Sequence, residues 1–483
     1  MNYRMVFHTI GQIFKIMGFF VLIPMFVAIG YGEAILPYIY VALIFFGAGF
    51  ALAFKKPKNN SIYSKEAVVS IGLAWIAVSL IGSLLYIFSG TIVGFVDAFF
   101  EMVSGITTTG ATILTDIEGL PRGISFFRCF TNWIGGMGIL VFLLAIMPNS
   151  EKGGMHLLRA ESPGPNVGKM TSKLSTTARI LYLIYIGLTL LQFLVLLIGG
   201  LDWFNAITLS FGTAGTGGFA PTNMSIASYN SVFVEMVVAA FMFIFSINFG
   251  LFYLYFIGKG LSALKSEEFW TFFIIIAVAT LLIALNITST VGNFWTALRY
   301  AVFEVSSAGS STGYASADYN LWPAFSQSML IVVMMVGGCA GSTAGGLKVS
   351  RLVGVTKASY VKVKQTLNPR KVFSVKVEGR PLEDSYVGSL FFYFAVYMFI
   401  LIIFTLICSL DSNLTFGSSF SACVATFNNA GPGLDIVGPM SNYSMLAWWT
   451  KMIYSMLMLT GRLEIFPMLI LFMPSTWRRV NAS

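Results

Sequence analysis

The chain has 483 residues, of which 57% are hydrophobic and only 10% are charged. This composition excludes an ordinary soluble globular protein. It predicts an integral membrane protein whose long apolar runs are helical, because lipid offers the backbone no hydrogen-bond partners. The net charge of +9 does not indicate a nucleic-acid-binding face, since the basic residues concentrate in alternate loops between the predicted spans, which is the pattern of cytoplasmic loops.

Two apolar helices are predicted first, at about residues 16–31 and 35–54. Pro24 is expected to kink the first of them, which neighbouring helices tolerate in a membrane. We interpret this helix as an uncleaved span rather than a signal peptide, because a second apolar run follows without a convincing cleavage site.

Four similar units of roughly one hundred residues follow, each with a span, a short helix, a glycine stretch and a second span. In the first unit, spans at about residues 66–90 and 124–148 flank a short helix at residues 97–104, whose expected N-cap is Asp97. The later units lie at about residues 177–258, 268–352 and 386–473, and Asp202 is the expected cap in the second.

These units predict an all-α integral membrane protein with about ten membrane helices. Four pseudo-symmetric repeats of helix, pore loop and helix surround one central pore, and two extra helices precede them. The boundaries follow as 1–60 for the leading helices, then 61–150, 151–260, 261–355 and 356–483 for the four repeats, the last of which begins with a cytoplasmic loop.

Each glycine stretch combines small and hydroxyl residues: Gly110 lies in TTTGAT, Gly217 in AGTGGF, Gly313 in SSTGYA and Gly433 in AGPGLD. Glycine permits a positive φ, so that successive carbonyls can point inward and replace the water shell of a weakly hydrated monovalent cation. Small residues also allow close helix packing in lipid, but four stretches at a regular period favour an ion filter. In the fourth stretch Gly431 is the alternative to Gly433. The candidate filter residues are Thr107, Thr108, Thr109, Gly110, Gly215, Thr216, Gly217, Ser311, Thr312, Gly313, Asn429, Gly431, Pro432 and Gly433.

Acidic residues near the stretches suggest two further roles. Glu101 and Glu304 precede Gly110 and Gly313 by the same interval, which predicts that they support the filter, by bonding its backbone or by pairing with a nearby arginine. The candidate arginines are Arg128 and Arg299. Other carboxylates follow three of the stretches and are either a mouth that concentrates cations or ordinary polar loops: Asp116, Glu118, Asp318 and Asp435.

The last helix of the third repeat is interrupted by a glycine-rich run at residues 337–346. Non-helical backbone at membrane depth is tolerated where it lines a cavity, so this run is interpreted as a movable gate below the filter. The alternative is a GxxxG face for tight helix packing. The candidate gate residues are Gly337, Gly338, Gly341, Ser342, Thr343, Gly345, Gly346 and Arg462.

Two basic residues lie in the final predicted span. An arginine inside a membrane is a functional candidate, and Arg462 facing the pore would repel a cation below the filter. Glu464 is two positions further on and so is not expected to pair with it on one helix face. Lys451 is expected to snorkel to the outer surface.

Five ordered motifs, SGITTTGAT, TAGTGGFAPTN, STGYASAD, NNAGPGL and GRLEIFP, together resemble the Trk/Ktr/HKT superfamily of potassium transporters, most closely its TrkH/TrkG-type membrane subunits. The resemblance covers essentially the whole chain. It implies potassium uptake through a four-repeat pore in the bacterial cytoplasmic membrane, a homodimer and a TrkA-like cytoplasmic regulatory subunit that binds ATP, ADP or NAD. The third stretch departs from the TTTG-like pattern by having Ser310 and Ser311, which retain the hydroxyl groups.

The predicted function is a potassium-selective pore and not an enzyme, with potassium at the filter as its one metal ion, no covalently bound cofactor and both termini in the cytoplasm. Passive conduction and coupling to protons or sodium both remain open. A sodium-permeable member of the superfamily is the alternative, and the resemblance implies that serine in place of one filter glycine favours it. An intramembrane transferase is the remote alternative, since it would need clustered aspartates or a histidine-carboxylate pair at membrane depth.

Overall fold

The computed structural model describes residues 1–55, 64–138, 174–258, 260, 265–371 and 373–477. Within these ranges the chain is almost entirely helical, with one short antiparallel hairpin. Six of the described helices are long and apolar enough to cross a membrane, and the number is eight if each of two sharply bent helix pairs forms one span. The chain is therefore a multi-pass membrane protein. The predicted first-repeat span continues beyond residue 138, outside the described residues.

The leading helices are α1 (Tyr3–Gly30) and α2 (Leu36–Ala53). Helix α1 begins well before the predicted residue 16, because Asn2 caps it by accepting a hydrogen bond from the Met5 amide at 3.2 Å. Polar residues in its first turns conceal this start from a hydropathy pattern. The two helices approach closely through small residues, since a Cβ atom on Gly11 would lie 2.8 Å from the Gly49 carbonyl oxygen.

Each repeat contributes a long helix, a short helix and a second membrane segment. The first contains α3 (Ser64–Phe88), α4 (Phe95–Ile106) and α5 (Arg122–Gly136). The second contains α6 (Leu174–Ile198), α7 (Trp203–Ala214), a 3-10 turn (Ser225–Tyr229), α8 (Val232–Phe245) and α9 (Phe249–Phe256). The third contains α10 (Glu267–Val291), α11 (Phe294–Gly309), a 3-10 turn (Tyr319–Leu321) and α12 (Ala324–Val336).

A segment rich in basic residues separates the third and fourth repeats. It contains α13 (Val349–Leu367) and the hairpin strands β1 (Lys376–Val377) and β2 (Arg380–Pro381). The fourth repeat contains α14 (Asp384–Cys408), α15 (Phe416–Phe427), a 3-10 turn (Asp435–Val437), α16 (Trp448–Arg462), α17 (Ile465–Phe472) and α18 (Pro474–Trp477).

The second membrane segment is interrupted in three repeats. The sequence predicted the break in the third repeat and missed those in the second and fourth. Helices α8 and α9 meet at a bend of 88°, and α16 and α17 meet at a bend of 118°. Helix α12 ends at Gly337, which has a φ of 70°. Asn248 explains the first break, because its side chain accepts from the Gly250 amide at 2.8 Å and starts a new helix there.

Of the two N-caps predicted for the short helices, Asp202 is confirmed and Asp97 is wrong. Asp202 accepts hydrogen bonds from the Phe204 and Asn205 amides and caps α7 as predicted. In α4 the N-cap is Gly94, and Asp97 lies in the first turn, where its Oδ1 accepts from the Lys451 Nζ at 2.7 Å. Lys451 is therefore buried in an ion pair rather than snorkelling. This pair joins α4 to α16, so the fourth repeat closes on the first.

Candidate ion pathway

The four short helices α4, α7, α11 and α15 all end in the same hydrogen-bonded turn. In each, an amide just beyond the helix donates to the carbonyl five residues earlier, which is the longer bond of a Schellman motif. The four bonds run from Thr109 to Ser104 at 2.8 Å, Gly217 to Gly212 at 2.8 Å, Thr312 to Ser307 at 2.9 Å and Ala430 to Ala425 at 2.8 Å. The non-helical segments that follow, residues 107–113, 215–221, 310–316 and 428–434, are called the four strands below. They therefore start with the same backbone geometry.

An unusual backbone conformation recurs in the same place in each strand. The second residue after each short helix has a left-handed backbone conformation although it is not glycine. The φ values are 57° at Thr108, 51° at Thr216, 53° at Ser311 and 54° at Asn429. Such residues cost of the order of 1 kcal/mol each and persist where the surrounding structure holds them. Two positions later a glycine also has positive φ: 82° at Gly110, 71° at Gly218, 80° at Gly313 and 81° at Gly431.

These four glycines form a closed ring. A Cβ atom added to any of them would lie too close to a carbonyl oxygen of another strand. The distance from the added Cβ atom to that oxygen would be 2.3 Å for Gly110 and Gly217, 2.0 Å for Gly218 and Thr312, 2.1 Å for Gly313 and Ala430, and 2.6 Å for Gly431 and Thr109. Each glycine thus lies against the carbonyl of the residue that precedes the ring glycine of the next strand. No side chain fits at these contacts, so both the positive φ and the close approach require glycine.

This ring corrects the predicted register in two repeats. In the second repeat the residue equivalent to Gly110 is Gly218 and not Gly217, and in the fourth it is Gly431 and not Gly433. Gly217 contributes its carbonyl to the ring, whereas Gly433 lies beyond it and donates its amide to the Val437 carbonyl at 2.7 Å. These two stretches each contain more than one glycine, and the carbonyl of the neighbouring strand determines which glycine enters the ring.

The strand hydroxyl groups bond within the scaffold. Thr107 and Thr109 hydroxyls pair at 2.8 Å, and Ser310 and Thr312, at the same positions in the third repeat, pair at 2.6 Å. Asn429 Nδ2 donates to the Thr109 Oγ1 at 2.9 Å and so ties the fourth strand to the first. The serines of the third stretch therefore keep the hydroxyl pair of the TTTG-like pattern.

Glu101 supports the first strand from behind, as its position predicted. Its carboxylate accepts from the Arg128 Nε at 2.8 Å, the Thr112 hydroxyl at 3.0 Å and the Ile113 amide at 3.0 Å. Glu101 and Arg128 are both fully buried. The Arg128 guanidinium also lies 4.1 Å from the Phe219 ring centroid, so this ion pair joins the strands of the first and second repeats.

Glu304 has the same role in the third repeat but lacks the predicted arginine partner. Its Oε1 accepts from the Ser316 amide at 2.8 Å and from the Ala317 amide at 3.2 Å. Arg299 pairs instead with Glu235 at 3.2 Å. The shared feature of the two repeats is therefore a buried carboxylate that accepts from the backbone after the ring glycine, and an arginine accompanies only Glu101.

Buried tyrosines behind the strands were missed by the sequence analysis. Their hydroxyls donate to strand carbonyls: Tyr314 to Phe219 at 3.0 Å, Tyr319 to Gly433 at 3.2 Å and Tyr443 to Gly431 at 2.8 Å. Tyr314 directly follows Gly313, and an aromatic residue with a polar tip at that place was the available signal. These bonds fix the orientation of backbone outside the ring contacts.

The candidate mouth carboxylates all accept hydrogen bonds within the protein. They accept from loop donors: Asp116 from the Gly119 amide, Glu118 from the Asn223 amide, Asp318 from the Asn320 amide and Asp435 from the Thr415 hydroxyl. Asn320 also bonds the Asp435 backbone in both directions, at 3.0 and 3.1 Å. These bonds show the structural role of polar loops, and concentration of cations by the carboxylates stays a prediction.

The glycine-rich run after α12 is a non-helical loop that contacts the strands of the third and fourth repeats. The Gly345 amide donates to the Ser311 hydroxyl at 2.5 Å, and a Cβ atom on Gly345 would lie 2.1 Å from the Asn428 carbonyl oxygen. Gly337 and Gly346 pack backbone against backbone and close the loop at its base. The alternative reading as a GxxxG helix face is therefore wrong, because residues 337–348 form no helix.

Arg462 is the last residue of α16 and lies between the loop and two repeats. One guanidinium nitrogen, Nη1, donates to the Thr343 carbonyl at 2.9 Å and to the Thr108 hydroxyl at 3.2 Å. The other, Nη2, donates to the carbonyls of Gly135 and Gly136 at the end of α5. Glu464 pairs instead with Arg351, as expected for a residue off the Arg462 face. Arg462 thus connects the first strand with the glycine-rich loop.

Comparison with known proteins agrees with this architecture. The sequence profile of the TrkH family, described as cation transport proteins, matches residues 31–479. The Trk system potassium uptake protein TrkH of Escherichia coli (strain K12) is 34% identical over 99% of this chain and 100% of its own length. The TrkG protein of the same strain is 32% identical over 98% of this chain and 99% of its own length.

A solved structure matches the fold as well. The crystal structure of the potassium transporter TrkH from Vibrio parahaemolyticus has a TM-score of 0.89 and 29% identity, and the match covers 99% of this chain and 100% of that one. A family profile that spans most of the residues, together with relatives above 30% identity along their whole length, establishes the relationship. This chain belongs to the TrkH family of cation transport proteins.

Proposed function

We propose that this chain takes up potassium across the bacterial cytoplasmic membrane, through a pore lined by the four strands that carry Gly110, Gly218, Gly313 and Gly431. The observation that carries the proposal is the closed ring in which each of these glycines lies against a carbonyl of the next strand. In the proposed pore, the four strands present main-chain oxygens to a common centre, and such oxygens can replace the hydration shell of potassium. The names of the TrkH and TrkG relatives support potassium as the ion.

The filter residues proposed from this geometry are those of the four strands. They include the predicted Thr107–Gly110, Gly215–Gly217, Ser311–Gly313, Asn429, Gly431 and Pro432, with Gly218 added and the predicted Gly433 left out. Retention of glycine at every ring position favours potassium over sodium. The chain is proposed to act by conduction rather than by covalent chemistry, with the transported ion as its ligand and no bound cofactor.

Uptake of rubidium-86 into liposomes that contain the purified chain tests this function. We expect rubidium entry that potassium competes for, and that sodium at the same concentration does not reduce. Liposomes without protein are the control for leakage. Equal competition by sodium would favour the sodium-permeable alternative, and an absence of uptake would contradict a conducting pore.

The loop at residues 337–348 is proposed as the gate of this pore. Its Gly345 contacts both the Ser311 hydroxyl and the Asn428 carbonyl, which belong to the strands of two different repeats. An ion leaving the ring toward the loop must therefore pass it, and the loop has to move for conduction. The lack of helical hydrogen bonds in this segment makes such movement less costly than unwinding a helix.

Replacement of Gly345 by alanine tests the gate. The new Cβ atom would lie 2.1 Å from the Asn428 carbonyl oxygen, so the loop cannot keep its place below the strands. We expect rubidium uptake to rise several-fold, as measured in liposomes at equal protein content. Gly388→Ala in α14 is the matched control, because no atom lies within 4 Å of its Cβ position. Uptake unchanged by Gly345→Ala would contradict the gate.

Arg462 is proposed to set an electrostatic barrier at the same level. Its charge lies within hydrogen-bond distance of the filter residue Thr108 and the loop residue Thr343. A cation below the ring is therefore repelled, and Arg462→Ala should raise rubidium uptake several-fold. Arg462→Lys separates the effect of the charge from that of the hydrogen bonds, because lysine keeps the positive charge and lacks the planar guanidinium group. If the charge forms the barrier, the lysine variant should conduct close to the wild-type rate, and a rate unchanged in the alanine variant would disprove the barrier.

Orientation and partners complete the proposal. Basic residues on α13 and in the segment after it support a cytoplasmic location for this region, and both termini are then cytoplasmic. A TrkA-like subunit that binds ATP, ADP or NAD would act on this face, and the chain would assemble as a homodimer. The "Trk system" wording in the names of the relatives supports a system of more than one component.

A further inference from the structure

We propose that Glu268 and Glu378 form a two-carboxylate latch that holds the intramembrane loop from the cytoplasmic side. This inference rests on the proposed function of the loop as a gate. It assigns positioning roles to two residues that lie outside the filter and outside the loop itself, and it makes the small cytoplasmic hairpin a part of the gate.

The first half of the latch is the contact between the hairpin and the start of α10. Glu378 lies at the hairpin tip, where it and Gly379 have φ values of 51° and 73° and form the two-residue turn between β1 and β2. Its Oε1 accepts from the Ser266 hydroxyl at 3.0 Å, the Glu267 amide at 2.9 Å and the Glu268 amide at 3.3 Å. The first amides of a helix have no partner within the helix, so this carboxylate from a distant segment stabilises the first turn of α10.

The second half of the latch is the contact between that first turn and the loop. The Glu268 Oε1 accepts from the Ala340 amide at 2.7 Å and from the Ser350 amide at 3.1 Å. These two amides lie on either side of Gly345, which contacts the filter strands. One carboxylate oxygen therefore joins the loop to the first turn of α13, the helix that follows it, and charge-assisted bonds of this kind are stronger than bonds between neutral groups.

Lys357 connects the hairpin and the start of α10 to α13, the helix that follows the loop. Lys357 on α13 pairs with Glu267 and also donates to the Lys376 carbonyl of β1 at 3.0 Å. The hairpin, the start of α10 and the start of α13 thus form one connected unit. Displacement of the hairpin withdraws Glu378 from the first turn of α10, which then frays and moves the Glu268 carboxylate away from the loop amides.

The test measures rubidium-86 uptake by the full-length chain in liposomes. Glu268→Ala should raise uptake several-fold, and Glu378→Ala should raise it by a smaller factor, because it loosens Glu268 without removing it. Since the two residues act in series, the double variant should conduct like Glu268→Ala alone. Glu383→Ala is the matched control, because Glu383 is an exposed carboxylate beside the hairpin whose side chain bonds only Ser385 among the described contacts.

Hydrogen-deuterium exchange gives a readout independent of flux. Glu378→Ala should accelerate exchange at residues 337–350, whereas Glu383→Ala should not. Glu378 is exposed, so this variant keeps the test available if Glu268→Ala does not fold. Uptake and exchange that stay at wild-type levels in Glu378→Ala would overturn the latch, and so would additive effects in the double variant.

The outcome with Gly345→Ala separates this proposal from the gate. If Gly345→Ala changes uptake and the glutamate variants do not, the gate stands and the latch is wrong. If Gly345→Ala also leaves uptake unchanged, the loop is not a gate and the latch falls with it.

Discussion

Replacement of Gly313 or Gly431 by alanine should reduce rubidium uptake by at least about tenfold, which corresponds to about 1.4 kcal/mol in the barrier to conduction. The Cβ atom would lie 2.1 Å from the Ala430 carbonyl oxygen in the first variant and 2.6 Å from that of Thr109 in the second. Both glycines also have positive φ, which alanine adopts only at a cost. The neighbouring carbonyl must move, and the ring loses its four equivalent oxygens.

Two glycine-to-alanine variants control for the substitution itself. Gly417 lies in the first turn of α15, and its Cβ position is 3.8 Å from the nearest heavy atom, so Gly417→Ala should conduct normally. Gly433→Ala tests the register, because Gly433 lies outside the ring and its Cβ position is 2.9 Å from the Ser421 hydroxyl, the end of a small side chain that can shift. Gly433→Ala should therefore reduce rubidium uptake less than Gly431→Ala does. Equal losses in the two variants would contradict the assignment of Gly431 to the ring.

Removal of Arg128 should have the largest effect on stability. Arg128→Met leaves the Glu101 carboxylate fully buried without its counter-charge, and breaking a buried ion pair in this way costs about 3–5 kcal/mol. Because Glu101 also accepts from the Thr112 hydroxyl and the Ile113 amide, the first filter strand should loosen as well. We expect a clearly lower melting temperature in detergent and reduced rubidium uptake.

A double variant isolates the charge. Glu101→Gln with Arg128→Met removes both charges while keeping an acceptor for the strand, so it should recover part of the stability that Arg128→Met loses. Lys357→Met breaks a half-exposed ion pair with Glu267 and should lower stability by about 1 kcal/mol or less. A melting temperature of Arg128→Met equal to that of the wild type would disprove a supporting role for the pair.

The sequence by itself determined the general architecture. Apolar runs of membrane length, basic residues in alternate loops and a glycine stretch at a period of roughly one hundred residues were sufficient for four membrane repeats. A supporting role for Glu101 was also predicted, with Arg128 as one of two candidate partners, because a charged residue inside an apolar segment requires a partner. Asp202 as a cap followed from local chemistry alone.

Tertiary structure alone decided which glycine of each stretch enters the ring. The motif AGTGGF offers three glycines and AGPGLD offers two, and local propensity does not distinguish among them. The choice is made by a carbonyl on another strand, since that of Thr312 excludes a side chain at Gly218 and that of Thr109 excludes one at Gly431. These contacts join segments far apart in the chain, so no local pattern contains them.

The same reason explains the other differences. Asp97 resembles a cap in sequence, but Lys451 of the fourth repeat reaches it when the repeats close into a circle. The glycines at residues 337–346 match a helix-packing face, but contacts with Ser311 and Asn428 hold them as a loop. Local sequence set the hydrophobic spans and the conformations open to each glycine, and the selection among those conformations came from backbone contacts between repeats.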